Sequence, residues 1–175
     1  KRDERLVNTE ATLANTADPK KIVEIVDEKV RNLKKKLKEG VEDEEAEVLQ
    51  VRGEDWRYFG KTKEEAPHGQ GVLSWDNGEF HEGSFVDGKR DGQGCFISRD
   101  FDQFSGNWVN DQKNGMFMVQ FWDGKRLDVE FKDGIMHGRY QMDYNNGFKR
   151  VGFYVEGKME GEAEYTWPDG MVQEE

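Results

Sequence analysis

The sequence predicts a mainly β protein: an elongated antiparallel β-meander of 23-residue hairpin repeats with one N-terminal α-helix. The first observation is that Gly69, Gly92, Gly115, Gly138 and Gly161 lie 23 residues apart, a fixed period typical of repeat architectures. The second is that Asn-Gly and Asp-Gly pairs, which favour hairpin turns, separate short segments of alternating apolar and polar residues. The third is composition, because 34% of residues are hydrophobic, 36% are charged and 12% are aromatic. Such a chain suits a thin aromatic sheet better than a thick aliphatic core.

The first 40 residues divide into an arm and a helix. Residues 1–17 show no sustained period and are predicted to form a flexible arm. An amphipathic helix is predicted over 18–40, because Asp18 suits the N-cap, Pro19 the first turn and Gly40 the C-terminal end. A stripe shorter than three heptads favours packing on the rest of the chain, but leaves a coiled coil and an oligomer open. The apolar residues of this stripe are Val23, Val26, Val30, Leu33 and Leu37.

Charged residues mark the end of the helix and the segment after it. A basic run can contact anionic lipid or an acidic partner, or can form a solvated helix face. Residues 41–55 are predicted to be an acidic linker, with a strand from Ala46 to Val51 that caps the sheet. The basic positions that could contact lipid or an acidic partner are Arg31, Lys34, Lys35 and Lys38.

The segment 56–175 is predicted to be an array of about five repeats, each forming one hairpin. The five glycines named above are predicted to be structural, because a residue that recurs at one point of a hairpin serves the backbone. Period-two alternation places the large aromatic residues on one face of about ten strands and polar residues on the other. The N-terminal helix is expected to cover part of the aromatic face.

The uncovered part of the aromatic face is the predicted binding site. Exposed aromatic surface of this size marks an interface, so we expect it to dock a helix or peptide of a partner protein. The alternative is that twist and side-chain packing already bury the rings. An oligomer formed through the sheet edge also stays open. The predicted partner-binding residues are Trp75, Phe85, Trp108, Phe121, Phe131, Tyr144, Tyr154 and Trp167.

Charge and cysteine content exclude several classes of function. The formal net charge is −11, and the negative charge lies in the repeat array, which would repel a phosphate backbone. No nucleic acid is therefore expected as a partner. The single Cys95 has no disulfide partner in the sequence, so an intracellular, reducing compartment is expected. No run of 18 apolar residues is present.

No catalytic, metal-binding or cofactor-binding constellation is predicted. The segment Gly69-Gln70-Gly71 lacks the following helix and the Lys of a phosphate-binding loop. The histidines, His68, His81 and His137, are scattered through the array rather than clustered. The expectation is therefore no enzyme activity, no metal and no cofactor within this sequence.

The array resembles the MORN repeat family. The resemblance rests on the segments 78–94 (GEFHEGSFVDGKRDGQG) and 155–161 (VEGKMEG), in which an aromatic-x-Gly strand, a turn and a Gly-rich strand follow one another. It covers about two thirds of the chain. Departures occur where the family's usual tyrosine is His81, Leu127 or Arg150, and where Val129 replaces a glycine. They weaken any ligand contact that needs a uniform aromatic row.

The resemblance implies a non-catalytic scaffold or protein interaction module of a larger protein or assembly. Arrays of this family occur in cytoskeletal, ciliary, membrane-junction and organellar complexes, so a cytoplasmic, cytoskeletal or organellar complex, with membrane association as an option, is the expected location. The resemblance also leaves two alternatives open. One is a phospholipid-binding module, and the other is a regulatory domain joined to a methyltransferase or lipid kinase.

Overall fold

The described strands form one antiparallel sheet, which confirms the predicted fold class. The computed structural model describes residues 24–25, 27–32, 35 and 47–174. The sheet has 12 strands in sequential order. Five hairpins supply ten of them, and one short strand follows and one precedes the array. The strands are β1 Glu47–Arg52, β2 Trp56–Lys63, β3 Ala66–Trp75, β4 Phe80–Val86, β5 Lys89–Ile97, β6 Gln103–Val109, β7 Gln112–Gln120, β8 Arg126–Lys132, β9 Ile135–Asp143, β10 Lys149–Val155, β11 Lys158–Thr166 and β12 Val172–Glu174.

Two kinds of turn join the strands. At one edge of the sheet the turns have two residues, and in the turn Asp87-Gly88 both residues have positive φ, 47° and 82°. This is the conformation that favours Asp-Gly. At the other edge the turns are longer. In four of them a glycine has positive φ, at Gly78, Gly124, Gly147 and Gly170, whereas in the turn between β5 and β6 Phe101 has a φ of 68°. In the four glycine turns the preceding Asn or Asp accepts a hydrogen bond from the backbone N–H two residues later, as Asn146 Oδ1 does from Phe148 at 3.1 Å.

The five glycines spaced 23 residues apart sit where the register shifts. Each has positive φ, between 74° at Gly69 and 104° at Gly92, and each lies in the second strand of a hairpin. The pairing of β4 with β5 shifts by two residues between Gly83 and Phe85, on the stretch opposite Gly92. A bulge of this kind needs a residue that tolerates the left-handed region, which explains the fixed glycine column.

The two faces of the sheet differ as the alternation predicts. We call the side that carries Tyr58, Phe85, Trp108 and Phe131 the aromatic face, and the other side the polar face. On the aromatic face the rings of Tyr58 and Phe85 meet edge to face at 5.1 Å, and those of Trp108 and Phe117 at 5.6 Å. A contiguous buried cluster spans β6 to β9. The sheet thus builds its core within its own aromatic face.

Glycine makes room for these rings, and the ring comes from either strand of a hairpin. In the first hairpin the Tyr58 ring of β2 lies so close over Gly71 of β3 that a Cβ at Gly71 would overlap it. In the third hairpin the ring comes from the second strand, because a Cβ at Gly106 would lie 2.6 Å from Phe117 Cδ2. At the departure Arg150 the ring also comes from a neighbouring strand, because a Cβ at Gly152 would lie 2.9 Å from Tyr140 Cε1 of β9.

Two of the described helical residues contact the polar face. Ile25 packs against Phe80 and Ile97, and the Lys29 ammonium forms an ion pair with Glu82. The expectation that the helix covers part of the aromatic face is therefore wrong. The aromatic rings already pack on one another, whereas Phe80 and Ile97 form an apolar island on the polar face that needs a cover. The predicted arm over 1–17 lies outside the described residues.

Candidate functional site

The structure places all eight predicted partner-binding residues on the aromatic face, but exposes them unequally. Phe85, Trp108 and Phe131 lie in the core, with 1%, 3% and 4% of their surface exposed. Trp167 is 43% exposed. The remaining four are half-buried: Trp75, Phe121, Tyr144 and Tyr154. Surface for a partner is therefore concentrated away from the central rings.

Trp167, the most exposed of the eight residues, lies in a cluster of aromatic side chains near the end of the array. We call Tyr144, Phe148, Arg150, Tyr165 and Trp167 the C-terminal aromatic patch. The Phe148 ring is 4.8 Å from that of Trp167, 5.3 Å from that of Tyr144 and 5.8 Å from that of Tyr165, stacked on the last. The Arg150 guanidinium lies 5.5 Å from the Tyr165 ring centroid. Phe148 therefore contacts the other three rings of the patch, and Arg150 lies against one of them.

Sequence reasoning placed only two members of this patch among the binding residues, Tyr144 and Trp167. It missed Phe148 because the residue stands just after the Asn146-Gly147 turn, outside the alternating strand pattern. The turn reverses the chain and returns Phe148 beside Tyr144, whose N–H donates to the Phe148 carbonyl at 2.9 Å. The sequence contains one signal for Phe148, because it is aromatic where most units have no aromatic residue at the equivalent position. The non-aromatic residues at this position are Glu79, Asp102, Lys125 and Met171.

Two more cations lie on the aromatic face, around Trp108. The Arg90 guanidinium is 4.2 Å from the Trp108 ring and bonds to Asp111 Oδ1 at 2.9 Å. The Lys113 ammonium is 4.5 Å from the Phe104 ring. Burial, together with the charge of Arg90, lowers the pKa of Lys113. Both are cation–π arrangements, in which the charge lies over an aromatic face.

His81 is the most unusual buried group of the array. Its side chain is 0% exposed and meets the rings of Phe85 and Trp108 edge to face at 5.5 and 5.1 Å. Neither ring nitrogen has a hydrogen-bond partner within the part of the chain that the structure describes. Burial lowers the pKa of His81 to about 3, with a further lowering from Arg90. In the equivalent position Tyr58 donates its hydroxyl hydrogen to the carbonyl of Lys61 at 2.7 Å.

The buried neutral His81 makes stability depend on pH. Between about pH 6.5 and about pH 3 the unfolded chain binds a proton at His81 that the folded chain excludes. The contribution of this group is thus complete above pH 6.5 and falls on acidification by about 1.4 kcal/mol per pH unit. Denaturant unfolding at neutral and mildly acidic pH should show this slope. His81→Tyr should remove it and stabilise the fold by about 1 kcal/mol, and an unchanged slope in that variant would contradict the assignment.

Within 24–25, 27–32, 35 and 47–174 no group of three His, Cys, Asp or Glu side chains could hold a metal ion. Burial raises the pKa of the Cys95 thiol, which lies on the polar face beside Ile97.

Of the predicted basic contacts, Arg31 bonds back to the Asp27 carbonyl at 3.3 Å and Lys35 is exposed. Lys34 and Lys38 lie outside the described residues. Among the described helical residues, no helix has the length and apolar character needed to span a bilayer.

Comparisons with known proteins give relatives that are much longer than this chain. The inactive protein tyrosine kinase pTKL of Plasmodium falciparum (isolate 3D7) is 30% identical over 74 residues, which cover 42% of this chain and 5% of that protein. Human alsin (Homo sapiens) is 29% identical over 92 residues, covering 50% of this chain and 6% of alsin. The chain therefore spans about one twentieth of the length of these relatives.

A solved structure and a family model also match. The SAS-4 (dCPAP) TCP domain of Drosophila melanogaster, solved in complex with a proline-rich motif of Ana2 (dSTIL), aligns with a TM-score of 0.39 and 10% identity over 73% of this chain and 88% of that chain. The family model described as MORN repeat matches residues 66–80, 81–103, 104–116, 130–148 and 151–172, just over half of the sequence. With its hairpin repeats and glycine-seated rings, the chain belongs to the MORN repeat family.

Proposed function

We propose that this MORN array is a non-catalytic protein interaction module that docks a peptide segment of a partner protein on the C-terminal aromatic patch. The observation that carries the proposal is the contrast within the aromatic face. Its central rings are buried in the sheet, whereas Trp167 is 43% exposed and stands in a contiguous cluster of rings. Exposed apolar clusters of this kind mark interaction sites.

The composition of the patch supports a protein partner. Its members are Trp, Tyr, Phe and Arg, the residue types that are enriched where protein interfaces gain most of their binding energy. Tyr and Trp combine a large apolar ring with one polar group, and they lose little conformational entropy on binding. The ring contacts at 4.8 to 5.8 Å around Phe148 hold these side chains in place before a partner arrives. A preorganised patch of this kind binds with a smaller entropic cost.

The module suits a role within a larger protein or assembly. In pTKL and alsin the matched segment is 5% and 6% of the whole chain, so in those proteins it is a small part of a longer chain. In such a setting the sheet would act as a rigid spacer that presents one binding patch. Its strands join only sequential neighbours, which is the arrangement of an extended repeat scaffold.

The proposal predicts that Trp167 is essential for binding. The probe is a peptide selected from a library of short random peptides displayed against the whole chain. Trp167→Ala should weaken binding of the selected peptide by about 30-fold, the size of an interface hot spot. Isothermal titration calorimetry measures the loss.

Trp122 gives a matched control, because it is 61% exposed but lies outside the patch. Trp122→Ala should leave the affinity of the selected peptide unchanged, and Trp167→Phe should retain most of it. Thermal unfolding of each variant checks that the fold is intact. Equal affinities for wild type and Trp167→Ala would refute the proposal, as would a loss in Trp122→Ala of the same size.

A further inference from the structure

We infer that the segment docked on the aromatic face is acidic, with carboxylates placed to meet Lys113 and Arg150. This inference rests on the proposed function and adds the chemistry of the partner. The evidence for it is the distribution of charged residues between the two faces and the two edges of the sheet. This distribution follows from the strand register.

Charge is sorted between the faces of the sheet. Following the register from β2 to β12, no residue whose side chain points to the aromatic face is Asp or Glu. The charged residues on that face are Arg90, Lys113 and Arg150. The polar face of the same strands holds as many acidic as basic residues. In a protein of net charge −11, the aromatic face is therefore the cationic surface.

Two of the three cations have no carboxylate partner among the described residues. Arg90 is paired with Asp111. The Lys113 ammonium lies 4.5 Å from the Phe104 ring and 5.2 Å from the Phe131 ring, and it forms no ion pair within the described part of the chain. The Arg150 guanidinium lies 5.5 and 5.9 Å from two tyrosine rings, and its buried Nε has no hydrogen-bond partner there. A carboxylate that reached either group would form a charge-assisted hydrogen bond in a partly dehydrated setting.

The acidic residues of the array are concentrated at the two edges of the sheet. The segments that connect the strands contain 14 Asp and Glu residues against two Lys and Arg residues. A planar anionic membrane that approached the aromatic face would meet these acidic turns on both sides, and like charges would repel it. A narrow peptide that crosses the strands lies between the turns. The arrangement therefore favours an acidic peptide over a lipid surface.

One cation of the chain's own helix is paired on the polar side of the sheet, where Lys29 forms an ion pair with Glu82. At the aromatic face the carboxylate of Asp111 is already paired with Arg90. A partner segment rich in Asp and Glu can pair with Lys113 and Arg150, the two cations of the aromatic face that have no carboxylate partner among the described residues.

The test scores the net charge of peptides selected from the random library against the whole chain. Selected sequences should be enriched in Asp and Glu together with apolar residues. Affinity for a selected acidic peptide should fall at least about tenfold in the double variant Lys113→Gln/Arg150→Gln. Its dependence on NaCl concentration should weaken as well. Lys132→Gln, which removes an exposed cation from the polar face, should change neither.

The outcomes separate this inference from the proposed function. Neutral or basic peptides that still require Trp167 would overturn the acidic partner and leave the docking patch standing. Selected peptides whose binding does not require Trp167 would overturn both the acidic partner and the docking patch. A selection that enriches no binding peptide would overturn both as well. Binding to vesicles containing phosphatidylserine that is lost in the double variant but kept in Lys132→Gln would assign the cations to a membrane and overturn the inference.

Discussion

Replacing Gly71 by Phe is expected to lower the free energy of unfolding by at least about 3 kcal/mol, near the upper end for overpacked cores. A Cβ at this position would overlap the ring and hydroxyl of Tyr58. Tyr58 is 0% exposed, and its hydroxyl donates to the Lys61 carbonyl at 2.7 Å. The new side chain would drive the ring out of this site and break the buried hydrogen bond. Urea denaturation followed by tryptophan fluorescence measures the loss.

A second variant tests the reason for that loss. In Tyr58→Leu/Gly71→Phe the ring at position 71 gains the space over Gly60, as Phe117 occupies the space over Gly106. The double variant should recover at least about 2 kcal/mol relative to the sum of the single losses, a coupling typical of contacting residues. Additive losses would show that a ring at position 71 of β3 does not replace the Tyr58 ring of β2. Gly115→Ala, where no atom lies within 4 Å of an added Cβ, should cost only about 1 kcal/mol from its positive φ.

Replacing Trp108 by Ala is expected to cost about 4 kcal/mol, the usual loss for a buried Trp. Trp108 is 3% exposed and touches His81 and Phe117 edge to face. It also supplies the ring over which Arg90 lies at 4.2 Å. Truncation would leave a cavity in the centre of the array and remove the support of this cation. Thermal unfolding followed by circular dichroism measures the effect.

Trp122 again provides the matched control for Trp108. It is 61% exposed, so Trp122→Ala should change stability by less than about 0.5 kcal/mol. A Trp108→Ala protein of nearly wild-type stability would contradict the assignment of Trp108 to the core. Loss of peptide binding in a Trp108→Ala protein that keeps its stability would instead place this ring in the binding site.

The hairpin array could be predicted from the sequence because its signals are local. A bulge that needs positive φ selects glycine, and Gly69 to Gly161 recur at that point of every unit. Turns such as Asp87-Gly88 likewise depend on backbone conformation alone. The described helical residues, 24–25, 27–32 and 35, lie within the segment whose apolar spacing predicts a helix, whereas the predicted capping residues lie outside the described residues. These features do not depend on what packs against them.

The position of the helix and the accessible part of the aromatic face required the structure. An apolar stripe shows that a helix must pack, but not on which face of the sheet, and here Phe80 and Ile97 on the polar face decide it. Likewise, alternation places Trp108 and Trp167 on one face without saying which of them is buried. That difference depends on rings supplied by neighbouring strands, such as Phe117 beside Trp108. The patch member Phe148 was hidden because its position depends on a turn.

The indole N–H signals of the five tryptophans test most directly whether the exposed end of the aromatic face is the docking site. Single Trp→Phe variants assign the signals in a two-dimensional NMR spectrum of the whole chain, and a selected peptide is then titrated. We expect the Trp167 signal to shift most, the buried Trp108 signal to shift less, and the Trp122 signal to stay in place. A titration that moves Trp122 and leaves Trp167 unchanged would contradict the account.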